Sequence, residues 1–119
     1  MTIDDLITAL EKATEPSREL FDEIGAFVER ADPNFSRFLF DAFVEAGAYL
    51  DAALTLVLEG LHWSILNHGC HDGHEDEDGI WHIDKVGPMA VIHASPLVSA
   101  IGATHAIALC SAALKARKK

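Results

Sequence analysis

The last sixteen residues constrain the fold more than any other segment, because they form a helix that is apolar on nearly every side. Thr104 is predicted to cap this helix, and the basic residues in its final turns suit the helix dipole. Its apolar positions are Ala106, Ile107, Ala108, Leu109, Cys110, Ala112, Ala113 and Leu114. Such a helix must be buried on both sides. We therefore expect it to lie between a sheet and other helices, or in a subunit interface.

Helical periodicity dominates the first half of the chain. Thr2 and Asp5 form a capping-box pair ahead of a first helix, and Ser17 is predicted to cap a second. The second helix has an apolar stripe of Leu20, Phe21, Ile24, Phe27 and Val28. A third helix is predicted from about Phe35 to a stop at Gly47. Its predicted apolar face is Phe35, Phe38, Leu39, Ala42, Phe43 and Ala46.

The pattern changes after residue 60. Positions 50–58 fit either a helix or a strand, and we prefer a short helix that ends at Gly60. Three segments then favour strands: "LHWSILNH", "IWHIDKV" and "MAVIHAS". The "GP" at 87–88 indicates a tight turn between the last two, and "PLVSAIGA" is interpreted as a connector. Trp63 and Trp81 are expected to pack as a cross-strand pair.

These elements predict one α+β domain over residues 1–119. N-terminal helices precede a three-stranded antiparallel meander, and the C-terminal helix packs on the sheet in an α/β/α-type sandwich. A hydrophobic content of 50% is enough to build a core for a chain of this length.

Four phrases carry a family resemblance. They are "DLITALEKATEPSREL", "LDAALTLVLEG", "VGP" and "AIALCSAALKAR", in that order. Together they resemble small phage and prophage proteins with a phage ABA-sandwich domain of unknown function. The chain departs from that pattern at Leu58 and His105, where the family commonly has proline. The family has no established activity, so the resemblance implies a phage origin and a sandwich architecture, and no mechanism.

The charge of the chain predicts the kind of partner it would bind. The net charge is −10, and four of the nine basic residues lie in the last five positions. Such a surface repels phosphate backbones and disfavours direct binding to nucleic acid. It suits a basic host or phage protein, which the chain would inhibit by occupying a basic groove. The predicted partner-binding residues are the acids Asp72, Glu75, Asp76, Glu77 and Asp78.

The N-terminus has acids where a secretory signal would have basic and apolar residues, and no segment offers an uninterrupted membrane span. Cys70 and Cys110 are interpreted as reduced thiols. These features predict a protein of the bacterial host cytoplasm that does not bind membranes.

Residues 67–83 are the main candidate for chemistry. His68, Cys70, His71 and His74 have the local spacing of zinc ligands, and His82 or Asp76 could complete the set. The neighbouring acids do not fit the twelve-residue calcium loop. The alternative interpretation is the solvated polar loop of a hairpin, so we expect no cofactor, with zinc as the alternative.

Enzymatic residues are sparse. His82 and Asp84 are the one acid–base candidate, and they lack a nucleophile. A face formed by His62, His82 and His93 is a second, weaker candidate. The sequence has no serine–histidine–aspartate order and no glycine-rich phosphate loop. We therefore predict a non-enzymatic protein.

The number of apolar helix faces predicts self-association. One sheet of three short strands offers too little surface to cover four or five apolar helices. We predict a homodimer through helix faces around Phe35, Phe38 and Phe43.

Overall fold

A computed structural model describes residues 2–58, 60–93 and 97–118, and for 67–74 and 81–86 it describes the backbone alone. Within these residues the helices are α1 (Ile3–Lys12), α2 (Arg18–Ala31), α3 (Arg37–Glu45), α4 (Tyr49–Leu54) and α5 (His105–Arg117). The strands are β1 (His62–Glu75), β2 (Trp81–His93) and β3 (Val98–Ile101). They form one antiparallel sheet in the order β1-β2-β3.

The predicted α+β class, with N-terminal helices, a three-stranded antiparallel sheet and a C-terminal helix on the sheet, is confirmed. The order of the layers differs from an α/β/α arrangement. Helix α5 packs against β2 and β3 with one side and against α1 and α4 with the other. In the described part of the chain, α2 and α3 also lie on this side of the sheet. The middle layer is therefore a helix, because α5 has two apolar sides and the sheet has one.

Helix α5 is the centre of the core. Every residue from Ala106 to Leu114 is buried, including Cys110 and Ser111. Burial raises the pKa of the Cys110 thiol, so this cysteine stays protonated and unreactive. Alanine at four of these positions lets the sheet and the other helices approach closely. The prediction of a central helix is confirmed.

Side-chain caps fix the starts of α1, α2 and α5 as predicted. Thr2 and Asp5 form a reciprocal capping box. The hydroxyls of Ser17 and Thr104 each accept a hydrogen bond from a backbone N–H in the first turn of α2 and α5. Gly47, with φ 75°, ends α3 in a Schellman arrangement, as the hydrogen bonds of residues 47 and 48 to the carbonyls of residues 44 and 43 show.

The predicted apolar face of α3 is correct only in part. Phe35 and Phe43 pack against the core as expected, and Phe40, which was not predicted, is fully buried. The side chain of Phe38 is instead 86% exposed and that of Leu39 is 45% exposed. The orientation is set by α2, where Gly25 leaves room for the Phe40 ring: a Cβ at residue 25 would lie 2.9 Å from it. Periodicity within α3 alone fits several faces, and only the partner helix selects one.

Helix α4 ends six residues before the predicted position. After Leu54 the chain continues in short turns with hydrogen bonds between residues three apart, from Leu56 to Ala53 and from Val57 to Leu54. Gly60 then adopts φ 88° and redirects the chain into β1. The segment 50–58 is thus neither a full helix nor a strand.

The strand boundaries also differ from the predicted ones. Positions 81–86 and 89–93, predicted as parts of two strands, belong to one strand, β2. The third strand lies in the segment interpreted as a connector. Pro88 is tolerated inside β2 because the register shifts there, so that positions 67 and 68 of β1 stand opposite one residue. Such a β-bulge accommodates a residue that lacks an N–H.

The two faces of the sheet differ. The register places Ala90 and Ile92 on the face that α5 covers, beside Trp63 and Ile65 of β1. Trp63 lies opposite Ile92, and Trp81 lies opposite Glu75 at the far end of the hairpin. The expected tryptophan pair is therefore wrong, because the strands are much longer than the sequence pattern suggested.

Candidate functional site

The hairpin formed by β1 and β2 extends well beyond the third strand. Strand β3 pairs only with Met89–Ile92, so the described backbone from Gly69 to Gly87 pairs only within the hairpin. At about 3.3 Å per residue, the segment from Gly69 to Glu75 carries the turn roughly 20 Å past the sheet. The molecule is accordingly elongated, with extents of 53 × 29 × 25 Å. We call residues 69–87 the hairpin arm.

The end of the hairpin arm is a tight turn over residues 76–80. The N–H of Gly79 donates to the Asp76 carbonyl at 3.1 Å, and Gly79 has φ 81°. The Asp76 carboxylate accepts hydrogen bonds from the N–H groups of Asp78 and Ile80, both at 2.9 Å. Aspartate at the first and glycine at the fourth position are typical of this turn. The long polar loop considered from the sequence is thus reduced to five residues.

The predicted partner-binding acids divide into three groups. Glu75, Glu77 and Asp78 are exposed at the turn, and no ion pair is found for them within the described residues. Asp76 is half-buried and its carboxylate holds the turn together. The side chain of Asp72 lies outside the described residues. Among the side chains that the structure describes, three carboxylates therefore remain available at the tip of the arm.

The predicted zinc ligands lie on the hairpin arm or at its base, and their side chains are outside the described residues. The backbone register places Cys70 opposite Val86 and His74 opposite His82. Among the side chains that are described, no group of three or more potential ligands is close enough to hold a metal. The zinc site stays a prediction.

The candidate histidine face is wrong. His62 and His93 are directly opposite each other at the base of the hairpin, but His82 stands eleven positions further along β2. That separation is about 35 Å along a strand. Nε2 of His93 lies 3.4 Å from Oγ of Ser64, a long contact on an exposed surface. The side chains of His82 and Asp84, the acid–base candidate, lie outside the described residues.

The end of α5 forms a polar contact that sequence analysis missed. Arg117 donates through Nε to the Leu56 carbonyl at 2.8 Å and through Nη1 to Asp32 at 3.0 Å. The Arg117 hydrogen bond, followed by one from the N–H of Asn34, holds the pKa of Asp32 below its usual range. No local sequence pattern indicates this contact, because Asp32 and Arg117 are 85 positions apart.

Two shallow cavities flank this ion pair. One, of about 410 Å³, is bounded by apolar groups of α1, α2 and α5, including Ile3 and Phe27. The other, of about 390 Å³, lies between α3 and the chain after α4, beside Leu39 and Val57. Both share Arg117 as a wall, and its guanidinium is already paired.

No model of a protein family, no curated protein and no solved structure matches the chain. The geometry of its own residues is therefore the basis for a functional proposal. None of the helices in the described ranges is long and apolar enough to cross a bilayer. Of the features above, the hairpin arm with its acidic turn is the one that extends away from the rest of the fold.

Proposed function

We propose that the chain is a non-enzymatic phage or prophage accessory protein that binds a basic surface of a host or phage protein. The observation that carries this proposal is the position of Glu75, Glu77 and Asp78 at the end of the hairpin arm. The specific form is inhibition: the acidic turn enters a basic groove of a host factor and blocks it. The phage origin rests on the resemblance of the sequence phrases.

The shape of the arm supports insertion into a groove. Adjacent strands lie about 4.8 Å apart, so a two-stranded ribbon is narrow enough to enter a cleft that would exclude the helical body. The turn itself is held by the Asp76 carboxylate, so the three exposed acids are presented on an ordered backbone. Preorganised charges cost less to order on binding than charges on a flexible loop.

The charge supports the same partner. A net charge of −10 steers the chain towards a basic surface and away from other acidic molecules. Positions 75–80 contain four acids and no basic residue. A partner with lysines or arginines in a groove would neutralise this concentration of negative charge.

The test compares a turn variant with a charge-matched control. The turn variant is Glu75→Gln, Glu77→Gln and Asp78→Asn, which removes three charges and retains Asp76. Immobilised protein captures partners from an extract of lysogenic host cells at low and at high salt. We expect wild-type protein to retain a basic protein at about 50 mM salt and to release it at about 300 mM.

The control variant carries Glu15→Gln, Asp22→Asn and Glu23→Gln, three exposed positions in and before α2. It changes the net charge by the same amount as the turn variant but leaves the arm intact. Capture by the control and loss of capture by the turn variant would support the proposal. Equal capture by both variants, or binding that does not depend on salt, would contradict it and favour the apolar helix surfaces.

The second candidate function is zinc binding by the hairpin arm. One feature of the backbone favours it. His74 and His82 are directly opposite each other, and two residues in such a pair can bind one metal ion across the two strands. Metal analysis of protein made without a polyhistidine tag tests it. One zinc per chain and a melting temperature that falls on adding a chelator are expected. Metal-free protein whose melting is insensitive to chelator would end this candidate.

We also propose that the chain is a homodimer in the host cytoplasm. The apolar side chains of Phe38, Leu39 and Trp63 are substantially exposed on the monomer. Phe35 and Phe43, which were predicted to lie in the interface, pack against the core of the same chain instead. The helix surface offered for dimerisation is therefore reduced to Phe38 and Leu39. Light scattering at micromolar concentration tests the oligomeric state.

A further inference from the structure

Strand β1 is an edge strand of fourteen residues, because the sheet order is β1-β2-β3. Every second residue of such a strand directs its N–H and C=O away from the sheet, where they need a partner. In the described part of the chain no helix runs along this outer edge: α5 lies mainly under β2 and β3. The outer row of backbone groups is therefore open to another strand.

The first ten residues of this edge include neither a charged side chain nor a proline. Natural edge strands are blocked by charged side chains, especially lysine, or by proline. Positions 62–71 contain no proline and no charged residue, and the first acid is Asp72. This run is unusual in a chain in which 24% of the residues are charged. The bulge at positions 67 and 68 is the first obstacle to pairing, so His62–Leu66 is the available segment.

We propose that β1 pairs antiparallel with β1 of a second copy of this chain, with Ser64 of the two copies opposite each other on a twofold axis. This inference rests on the homodimer part of the proposed function and names its interface. In this register Trp63 lies opposite Ile65 of the other copy, and His62 lies opposite Leu66. Opposed residues of an antiparallel pair share a face of the sheet. The two three-stranded sheets join into one sheet of six strands.

The exposed side chains of β1 fit this pairing. Trp63 is 43% exposed and Leu66 is 46% exposed, although both belong to a strand of the sheet. The proposed register covers Trp63 with a β-branched side chain, a favourable cross-strand combination. It also covers Leu66 with the imidazole of His62. The pairing thus covers two side chains that are solvent-exposed in the monomer, Trp63 and Leu66, and it also adds backbone hydrogen bonds.

The distribution of charge permits a second copy as the occupant of the edge. Two chains of net charge −10 repel each other, so they can associate closely only through a surface that brings no acids together. Positions 62–71 meet that condition, and charges beyond about 10 Å are screened at ordinary salt. The helix surface around Phe38 lacks both advantages: its neighbours Arg37 and Asp41 are charged, and its backbone groups are satisfied within α3.

The test introduces the same substitution at two positions, one on each side of Val91 in the central strand β2. Ser64 of β1 and Ser99 of β3 both lie opposite Val91 of β2, on the sheet face away from α5. Ser64→Lys places two like charges opposite each other on the proposed axis, whereas Ser99→Lys adds the same charge at the other edge. Both substitutions lower the net negative charge, so weaker association of Ser64→Lys cannot arise from long-range repulsion.

Sedimentation equilibrium of the full chain from about 5 µM to about 1 mM measures the dimer dissociation constant. We expect Ser64→Lys to raise it at least about tenfold, and Ser99→Lys and Phe38→Lys to change it less than about twofold. If Phe38→Lys alone or both serine variants weakened the dimer, the proposed β1 interface would be overturned, and the proposal of a homodimer would stand. If wild-type protein were monomeric throughout this range, the homodimer and its β1 interface would both be overturned.

A cross-link keeps the proposal testable should Ser64→Lys fail to fold. In a Cys70→Ser background, Ser64→Cys places one thiol from each copy on the twofold axis, within the range of Cβ distances of a cross-strand pair. Mild oxidation is expected to give a covalent dimer with Ser64→Cys and none with Ser99→Cys. Cys110 is buried and does not interfere. Equal cross-linking at both positions would overturn the edge proposal.

Discussion

Replacing Gly102 by alanine is expected to be one of the most destabilising small changes in this chain. Gly102 lies between β3 and α5, at the closest approach of the sheet to the central helix. A Cβ there would stand 2.7 Å from the backbone nitrogen of Ala108, 2.7 Å from Cγ2 of Ile107 and 3.1 Å from the Ile107 carbonyl carbon. The N–H of Gly102 also donates to the Pro88 carbonyl at 3.0 Å, so the residue is held from the opposite side.

The magnitude follows from what would have to move. Overpacking a well-packed site costs about 1–3 kcal/mol, and the upper value applies here because two of the three obstructing atoms belong to the backbone. A cost of about 3 kcal/mol is a large part of the roughly 10 kcal/mol expected for a domain of this size. With an unfolding entropy of about 2.1 cal/mol/K per residue, it corresponds to a melting temperature lower by about 12 °C.

Urea denaturation followed by circular dichroism measures the effect, with Gly47→Ala as the control. Gly47 has φ 75° and nothing within 4 Å of an added Cβ, so this control isolates backbone strain from steric overlap. We expect the control to lose about 1–2 kcal/mol. A loss for Gly102→Ala no greater than that of the control would refute the reasoning, because α5 would then be free to shift on the sheet.

Three further predictions concern the core and the Arg117 ion pair. Phe40→Ala should cost about 4 kcal/mol because its ring is fully buried, whereas Phe38→Ala should change stability by less than about 0.5 kcal/mol; urea denaturation measures both. Ser111→Ala should stabilise the protein by about 1 kcal/mol, because the buried hydroxyl makes no hydrogen bond with the described residues. Since Arg117 keeps the pKa of Asp32 low in the folded state, their contribution is present above pH about 4 and is lost as pH falls further. In thermal melts from neutral to acid pH, the melting temperature of Asp32→Asn should fall less than that of wild-type protein.

Local signals in the sequence predicted the parts of the fold that depend on neighbouring residues. The caps at Thr2, Ser17 and Thr104 need only a backbone N–H two or three positions away, so spacing alone identifies them. The stop at Gly47 likewise depends on a local conformation. The central place of α5 followed from its composition, because a helix without a polar side cannot face water.

Features set by distant parts of the chain were not predictable. The buried face of α3 depends on the space that Gly25 leaves in α2, and α3 alone has apolar residues on more than one side. The continuity of β2 through Pro88 depends on a bulge in the opposite strand. In both cases the sequence pattern was compatible with the observed structure but did not select it.

The candidate site shows the same division. The acidic character of the turn is evident in the sequence, but the use of Asp76 to hold the turn depends on the hydrogen bonds of residues 78 and 80. The length of the hairpin arm was hidden, because histidines and acids in β1 resemble a loop by composition. The Arg117 contact joins the end of the chain to the end of α2, and no local pattern reports it.

The two proposals made for β1 are compatible because they use opposite ends of one strand. Pairing around Ser64 occupies the base of the hairpin, and the acidic turn remains free at the tip. In an antiparallel dimer the two arms extend in opposite directions. Twelve residues separate Ser64 from Asp76, or roughly 40 Å, so the two turns would be roughly 80 Å apart. That exceeds the 53 Å length of the chain itself. One small partner therefore cannot contact both turns, and each arm of the dimer would engage a basic groove independently.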